Sequence, residues 1–343
     1  MSFYESPSAP KTKTDFRWKQ LQKVLQSQTA RSFTTYRIFH TQSQAIEFQQ
    51  SNENLKDLRI FSYEHNMSQL GSRKFIVANL RDFYDTYMKL PDRDCHHYEL
   101  IQQAHNCHLY YDIEYDSRHN VGTSGNELVQ ILKTVTRKML YQLFDCDPAS
   151  IIFVELDSTS EIKFSRHLIV RMPGLVFKDN IQVGMFIKLV VASIKSSVID
   201  TDLQKLVVFN KNGECLMFDE SVYTKNRNFR LIKSSKLGKT VYLKEIIPGP
   251  LNFERFKQTL VCEDMHKLQI IELNGKVDAL DVCRMQPIRF LTNPNQIESG
   301  SPWIEIDFYI ISQIRNNTDP NSEIKSCLYL DTCKTMMFMQ PKY

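Results

Sequence analysis

The sequence predicts a layered fold of mixed helices and strands, of either the α+β or the α/β kind. Helical and strand patterns alternate along the chain, and several short strand pairs stand among them. The ten glycines are scattered, and no glycine-rich turn joins a strand to a helix, so a doubly wound dinucleotide-binding sheet is disfavoured. With 343 residues, the chain can bury a sizeable core as one large domain or as two smaller modules.

Hydrophobic periodicity places the elements in order. Residues 1–14 are polar and contain two prolines, which predicts disorder, whereas the apolar positions of residues 15–28 share one helical face. Further helices are predicted at 42–50, 80–88, 126–143, 181–196 and 252–259. Strands are predicted at 58–63, 74–78, 108–115, 151–156, 164–170, 206–209 and 215–218. The last two strands flank Asn212-Gly213, a strong hairpin signal.

Composition gives limited information about partners and compartment. The formal charge of +4 does not by itself indicate nucleic-acid binding, but seven basic residues and no acid lie between Lys225 and Lys244. Such a run is usually a solvated face, and only its position just after Asp219 suggests a functional role. The eight cysteines show no Cys-x-x-Cys pair, and there is no signal peptide or membrane-length apolar run, so we expect reduced thiols and an intracellular protein. The basic, acid-free segment 16–46 suits a mitochondrial presequence and equally a surface helix.

Two carboxylates share one face of the strand predicted at 108–115. Residues two apart on a strand point the same way, so Asp112 and Glu114 project together, in one row with His108 and Tyr110. At about 7 Å they repel each other by roughly 2–3 kcal/mol at an effective dielectric near 20, and a divalent cation would reverse that repulsion. Alone, this pattern is more typical of a solvated polar face.

Two further segments complete a candidate site. Lys163, Ser165 and His167 share a strand face that could grip a triphosphate, although this segment alone is better explained as an amphipathic strand, and Arg166 interrupts the alternation. Asp219 follows an apolar strand, and the Asn/Arg-rich segment after it offers guanidinium groups suited to phosphate, or is simply an exposed turn. Together, three acids and clustered arginines are what metal-assisted nucleotidyl transfer requires.

Taken together, these segments resemble the eukaryotic primase-polymerase family, PrimPol, within the archaeo-eukaryotic primase superfamily. The resemblance covers about residues 35–310. It is carried by Asp112-Ile113-Glu114, by Phe164-Ser165-Arg166-His167-Leu168-Ile169, by Phe177-Lys178-Asp179-Asn180-Ile181 and by residues 222–239, which end Lys233-Ser234-Ser235-Lys236-Leu237-Gly238-Lys239.

The resemblance implies an α+β catalytic core of two modules, the second like an RNA-recognition fold. We expect an N-terminal tail and helix at 1–34, an N-terminal module at 35–105, a catalytic module at 106–310 and a divergent tail at 311–343. The catalytic metal ligands, for Mg²⁺ or Mn²⁺, would be Asp112, Glu114 and Asp219. The nucleotide would be bound by Arg73, Lys163, Ser165, Arg166, His167, Arg227, Asn228, Phe229, Arg230 and Lys236, and Tyr98 would lie near the sugar.

The implied activity is that of a DNA-directed DNA polymerase and primase, a nucleotidyltransferase that uses nucleoside triphosphates, a primer and a single-stranded DNA template. Lesion bypass and restart of stalled replication, in nucleus and mitochondrion, would follow. Relatives also carry a C-terminal zinc module, linked to primer initiation, and an acidic tail that recruits single-strand-binding protein. Residues 316–343 do not resemble that continuation, and Cys327 and Cys333 lack companion zinc ligands. We therefore expect a shortened form without zinc or that recruitment, monomeric, independent of membranes, and better suited to primer extension than to de novo priming.

Two other functions use the same residues. A two-metal nuclease would also need three acids and a histidine, and would consume DNA when metal is added. A catalytically impaired single-strand-binding form is the second alternative, although a pure binder gains nothing from clustered carboxylates that repel phosphate.

Overall fold

In the computed structural model, helices and strands take up nearly equal shares of the chain, 33% and 32%. The structure describes residues 36–52, 57–65, 71–196, 201–262, 268–273, 298–299, 326–330 and 335–339. Within these residues all but one of the strand pairs are antiparallel, which is the arrangement of an α+β fold and confirms that prediction. The disorder predicted at 1–14 and the helix predicted at 15–28 lie outside the described residues.

The first sheet has five strands in the order β1-β3-β2-β4-β11. They are β1 (Tyr36–Phe39), β2 (Leu58–Glu64), β3 (Arg73–Asn79), β4 (His97–Ile101) and β11 (Arg227–Arg230). Helix α1 (Gln42–Gln50) covers part of one face through a small apolar cluster around Ala45. Helix α2 (Leu80–Tyr87) covers the other face, where the ring of Phe83 stacks on Phe61 with centroids 3.5 Å apart. Each face of this sheet therefore contributes to a separate apolar layer.

The second sheet carries the predicted carboxylate strand, in the order β12-β6-β7-β5. Its strands are β5 (Leu109–Asp116), β6 (Ile152–Asp157), β7 (Lys163–Arg171) and β12 (Lys244–Glu245). Helix α3 (Gly125–Phe144) packs on one face, where the Tyr111 hydroxyl lies 2.8 Å from Thr136 Oγ1. Gly125 allows this close packing, because a Cβ there would lie 2.2 Å from the ring of Phe164. The alternation predicted for β5 is confirmed, since Leu109, Tyr111 and Ile113 are fully buried.

The predicted hairpin forms one residue out of register with the prediction. Strand β9 (Val207–Asn210) pairs with β10 (Gly213–Leu216), and Gly213 lies opposite Asn210. The two-residue turn is therefore 211–212 rather than Asn212-Gly213, and Gly213 begins β10 with a φ of 113°. Residues 217–219, predicted in part as hairpin strand, leave the hairpin and run beside β5 instead.

Three strands of the first sheet, β1, β4 and β11, have no counterpart among the predicted elements. Residues 97–101 form β4, and the segment interpreted as binding loop or exposed turn contains β11. Their register pairs Arg227 with Ile101 and Arg230 with Tyr98. Strand β11 belongs to the segment expected as the catalytic module, 106–310. It nevertheless forms the edge strand of a sheet whose other strands come from the expected N-terminal module, 35–105.

The remaining elements are short, apart from one helix. Helix α4 (Asn180–Ser196) packs beside β8 (Leu175–Phe177) through Phe186 and Phe177, whose ring centroids are 5.8 Å apart. The others are α5 (Thr201–Gln204), α6 (Phe253–Gln258), β13 (Gln269–Ile271), β14 (Glu298–Ser299), β15 (Ser326–Leu330), β16 (Thr335–Met339) and three short 3₁₀ helices, Asp92–Asp94, Pro148–Ser150 and Glu220–Val222. Among the helices in the described part of the chain, none combines the length and the apolar character needed to cross a membrane.

Candidate active site

Three carboxylates lie on one face of the second sheet. Asp112 and Glu114 belong to β5, and the segment around Asp219 runs antiparallel to its free edge. The Asp219 N–H donates to the Asp112 carbonyl at 2.9 Å, and the Glu114 N–H donates to the Met217 carbonyl at 2.8 Å. Ile113 lies opposite Phe218, so Asp112 lies opposite Asp219, and residues opposite each other in an antiparallel pair share a face. The fold thus brings the third acid to the side of the sheet that carries the first two.

The electrostatics of Asp112 reflect this crowding. Its side chain is 25% exposed. Burial, together with the negative charges of Glu114 and Asp219, raises the pKa of Asp112 to about 6, while Arg230 and Lys236 act in the opposite direction. Both protonation and a bound cation would relieve the same unfavourable charge.

Each carboxylate currently has a neighbour from the protein. Glu114 forms an ion pair with Lys163, Asp219 accepts from the Ser221 N–H at 2.8 Å, and Asp112 Oδ1 lies 3.6 Å from His167 Nε2. No three His, Cys, Asp or Glu side chains of the described residues already stand close enough together to hold a metal ion. Three carboxylates on one face nevertheless form the hard oxygen donor set that suits Mg²⁺ or Mn²⁺.

The first sheet supplies the opposite wall of a cleft. Its edge strand β11 lies over β5 and β7, and the ring of Phe229 stacks on His167 with centroids 4.0 Å apart. Phe229 also contacts Tyr110, so the inner half of the carboxylate row is covered. His108 and Tyr110, predicted to share a face with Asp112, are both buried, and Tyr110 lies directly against Phe229.

A chain of hydroxyl groups connects the two sheets. Arg230 Nη2 donates to Ser158 Oγ at 2.9 Å, and Ser158 Oγ donates to Ser165 Oγ at 3.0 Å. Arg230 belongs to the first sheet, whereas Ser165 belongs to the second and Ser158 follows its strand β6. Ser158 is therefore a structural link that holds a guanidinium group in the cleft.

The cleft has a volume of about 510 Å³, in the range of small-molecule binding sites. Three buried nitrogens along it, Arg73 Nε, His167 Nδ1 and Arg230 Nε, have no hydrogen-bond partner among the described residues. Burial, then the charges of Arg230 and Lys236, holds the pKa of His167 well below its usual range, so the imidazole is neutral at neutral pH. The cleft thus combines acids on one wall with fixed cations and unsatisfied donors on the other, an arrangement suited to a polyanionic ligand held with a metal.

Most residues predicted for the site line this cleft. They are Arg73, Tyr98, Asp112, Glu114, Ser165, His167, Arg227, Asn228, Phe229, Arg230 and Lys236. Asp219 and Lys163 are not part of the lining but contact it, through the Asp112 backbone and the Glu114 carboxylate respectively.

Arg166 is the predicted nucleotide ligand that the structure does not bring to the cleft. It lies opposite Ile113, on the face of β7 turned away from Ser165 and His167. Its guanidinium lies 3.1 Å from Glu155 and 3.5 Å from Asp157, and donates to Asn126 Oδ1 at 3.0 Å. Arg166 therefore keeps the strand alternation that it was expected to break, because a buried cation on the far face is neutralised there by two acids.

Two residues of the site, Glu64 and Ser158, carry no signal in the sequence, whereas Thr224, Lys225 and Asn226 belong to the Asn/Arg-rich segment that was already singled out. Glu64, Thr224, Lys225 and Asn226 line the cleft, and Ser158 fixes Arg230. Asn226 adopts a positive φ of 52°, and its side-chain oxygen accepts from the Gln103 N–H at 3.0 Å. An acid at the end of a strand or a serine in a turn is common anywhere, so no motif could have identified Glu64 or Ser158.

Comparison with known proteins adds independent information. No protein-family model matches the chain. The DNA-directed primase/polymerase protein of Danio rerio is 34% identical over 239 residues, covering 62% of this chain and 45% of the relative. The human protein of the same name is 30% identical over 355 residues, and that of Mus musculus 28% identical over 337, each covering 82% of this chain and 62% of the relative.

The chain thus spans less than two thirds of the length of these relatives. The similarity nevertheless extends over most of the chain itself. The similarity also agrees with the α+β architecture, since the primase/polymerase relatives support a primase core. On this evidence the chain is a PrimPol-like protein, a homologue of the DNA-directed primase/polymerase proteins.

Proposed function

We propose that this chain is a DNA-directed nucleotidyltransferase that extends primers on a single-stranded DNA template. The observation that carries the proposal is the meeting of Asp112, Glu114 and Asp219 on one face, across a cleft from Arg230 and Lys236. The names of the similar proteins support the same reaction class. Three acids without nearby cations would repel a triphosphate, and cations without the acids would explain binding but no chemistry.

The carboxylates are the residues that would hold divalent cations. When bound, Mg²⁺ or Mn²⁺ supplies Lewis acidity at an attacking 3′-hydroxyl and neutralises charge on a triphosphate. Lys163 contacts Glu114, so its ammonium group would lie beside the phosphates of a nucleotide bound at these carboxylates.

The other wall binds and orients the nucleotide. Arg230 and Lys236 are the cations whose positive charges lower the pKa of Asp112. Ser158 keeps the Arg230 guanidinium in place before a ligand arrives, so little side-chain freedom is lost on binding. The neutral His167, stacked on Phe229, offers nitrogen donors or acceptors without adding positive charge. Arg73 and Tyr98 also line the cleft and would meet the sugar, the base or the template.

We extend the proposal to the cellular setting expected for the family. It places the protein in nucleus and mitochondrion, with lesion bypass and restart of stalled replication as its tasks and Mn²⁺ or Mg²⁺ as its metal. The chain would act as a monomer on a primed single strand. The similarity of the relatives motivates this extension, and cell fractionation with a tagged chain tests its localisation.

The decisive experiment is an extension assay on primed and unprimed single strands, with Mg²⁺ and with Mn²⁺. We expect nucleotide-dependent growth of the primed strand by the wild type. The double substitution Asp112→Ala with Glu114→Ala should abolish extension, because it removes two of the three metal ligands, while single-strand binding survives. Retained extension by that variant would reject the metal assignment, and metal-dependent loss of DNA without added nucleotide would favour the two-metal nuclease.

A further inference from the structure

Glu64 is an acid in the wall of a cleft that otherwise supplies cations to a phosphate-bearing ligand. It is the last residue of β2, and its side chain is 9% exposed. A buried carboxylate in such a place would weaken anion binding unless its charge is used by the protein itself. Its contacts show that both oxygens are used.

One oxygen of Glu64 holds an arginine. Arg73 Nη2 donates to Glu64 Oε1 at 3.0 Å, and the guanidinium carbon of Arg73 lies 4.6 Å from the centre of the Tyr98 ring. The carboxylate at its edge and the ring at its face fix the guanidinium in two directions. The Arg73 side chain is still 27% exposed, so part of this fixed group remains open to a ligand.

The other oxygen holds the loop that carries Lys236. The Leu237 N–H donates to Glu64 Oε2 at 2.9 Å, one residue after Lys236. At the start of the same loop, the Ser235 N–H donates to the Cys95 carbonyl at 2.9 Å. At its end, the Lys239 N–H donates to the Lys236 carbonyl at 2.9 Å. Glu64 therefore attaches the middle of this turn to the first sheet.

We propose that Glu64 is a positioning residue for the nucleotide site: its carboxylate fixes Arg73 against Tyr98 and, by holding Leu237, fixes Lys236 across from the acidic cluster. The proposal rests on the proposed function and adds a residue to it that binds no substrate itself. Its physical content is preorganisation, since the Arg73 side chain and the backbone turn that carries Lys236, which would otherwise need ordering on binding, are held in advance. The charge of Glu64 is balanced by Arg73, so it does not oppose the incoming phosphates.

The test compares Glu64→Ala and Glu64→Gln with a matched control, Glu245→Gln. Glu245 is also a shielded carboxylate with a guanidinium partner, its Oε2 lying 2.7 Å from Arg255 Nε, but it does not line the cleft. Steady-state primer extension gives KM for nucleotide and kcat separately, and hydrogen exchange reports the protection of the Leu237 amide. For Glu64→Ala we expect loss of Leu237 protection, kcat within about twofold of the wild type, and a KM about tenfold higher, the increase expected when a long side chain and a backbone turn must be ordered on binding.

Glu64→Gln separates the two contacts and serves if the alanine variant fails to fold. Its amide oxygen can still accept from Leu237, but it lacks the charge that holds Arg73, so we expect retained Leu237 protection and a KM about threefold higher. Glu245→Gln should leave KM unchanged. A KM for Glu64→Ala or for Glu64→Gln equal to the wild-type value overturns the inference, and so does an equal rise in Glu245→Gln. A wild-type protein that extends no primer overturns the proposed function as well. If the wild type is active but substitution of Glu64 leaves KM unchanged, only the role of Glu64 is overturned.

Discussion

Replacing Asp112 by Asn is expected to stabilise the metal-free protein. Burial and the neighbouring acids raise the pKa of Asp112 from 3.8 to about 6, so the folded state disfavours the charged form. About two pKa units correspond to about 3 kcal/mol of destabilisation above pH 6, where the carboxylate is charged in both the folded and the unfolded chain. Asn is neutral and of similar size, so Asp112→Asn should remove up to about 3 kcal/mol of this cost.

The sign of the pH dependence follows from the same shift. Below about pH 4, Asp112 is neutral both folded and unfolded, and its contribution to stability is then fully present. That contribution is lost as the pH rises from about 4 through about 6, because the unfolded chain gives up its proton in this range while the folded state still holds it. The advantage of Asp112→Asn should therefore be largest at pH 8 and close to zero at pH 4.

Chemical denaturation at pH 8, 6 and 4 in the presence of a chelator measures this difference. The control is Asp116→Asn, on the same strand, because hydrogen bonds from Arg118 hold the pKa of Asp116 well below its usual range and its removal should bring no gain at pH 8. Added Mn²⁺ should then stabilise the wild type more than Asp112→Asn, since the variant has lost a ligand. The reasoning would be refuted if Asp112→Asn were no more stable than the wild type at pH 8, or if its stability advantage at pH 4 were as large as at pH 8.

Three further substitutions examine other parts of the site and its support. Arg230→Ala should raise the KM for nucleotide more than it weakens template binding, as judged by extension kinetics beside single-strand titration; an equal loss of both would assign Arg230 to general phosphate contact. Ser158→Ala should raise the same KM by about tenfold, because a hydrogen bond to a charged group contributes about 1.5–3 kcal/mol, and Ser158→Thr should restore it. Gly125→Ala should lower the free energy of unfolding by about 1–3 kcal/mol, because its Cβ would overlap the ring of Phe164; unchanged denaturation would contradict the close packing of α3 on the second sheet.

Local patterns in the sequence were sufficient for much of the site. Period-two alternation correctly paired Asp112 with Glu114 on β5, and Ser165 with His167 on β7, because side-chain direction along a strand depends only on the strand itself. The helical spacing of apolar residues likewise identified the longer helices, whose apolar stripes extend over several turns. Arg166 was expected to interrupt the alternation and to bind the nucleotide, but the alternation held, and only its partners Glu155 and Asp157 show why a cation is tolerated on the far face.

Other features depended on contacts between distant parts of the chain. Strand β11 forms because it pairs with β4, and neither segment shows a strong strand pattern by itself. Glu64 and Ser158 acquire roles only from the groups that they meet, Arg73 and Arg230 among them.

By itself, then, the sequence determined which side chains could do chemistry and which of them share a strand face. Tertiary structure decided that Asp219 joins Asp112 and Glu114 along the edge of β5, and that the first sheet brings Arg230 across from them. The physical reason is that side-chain direction follows from the local backbone, whereas the pairing of segments far apart in the chain depends on the burial and hydrogen bonds of the whole fold.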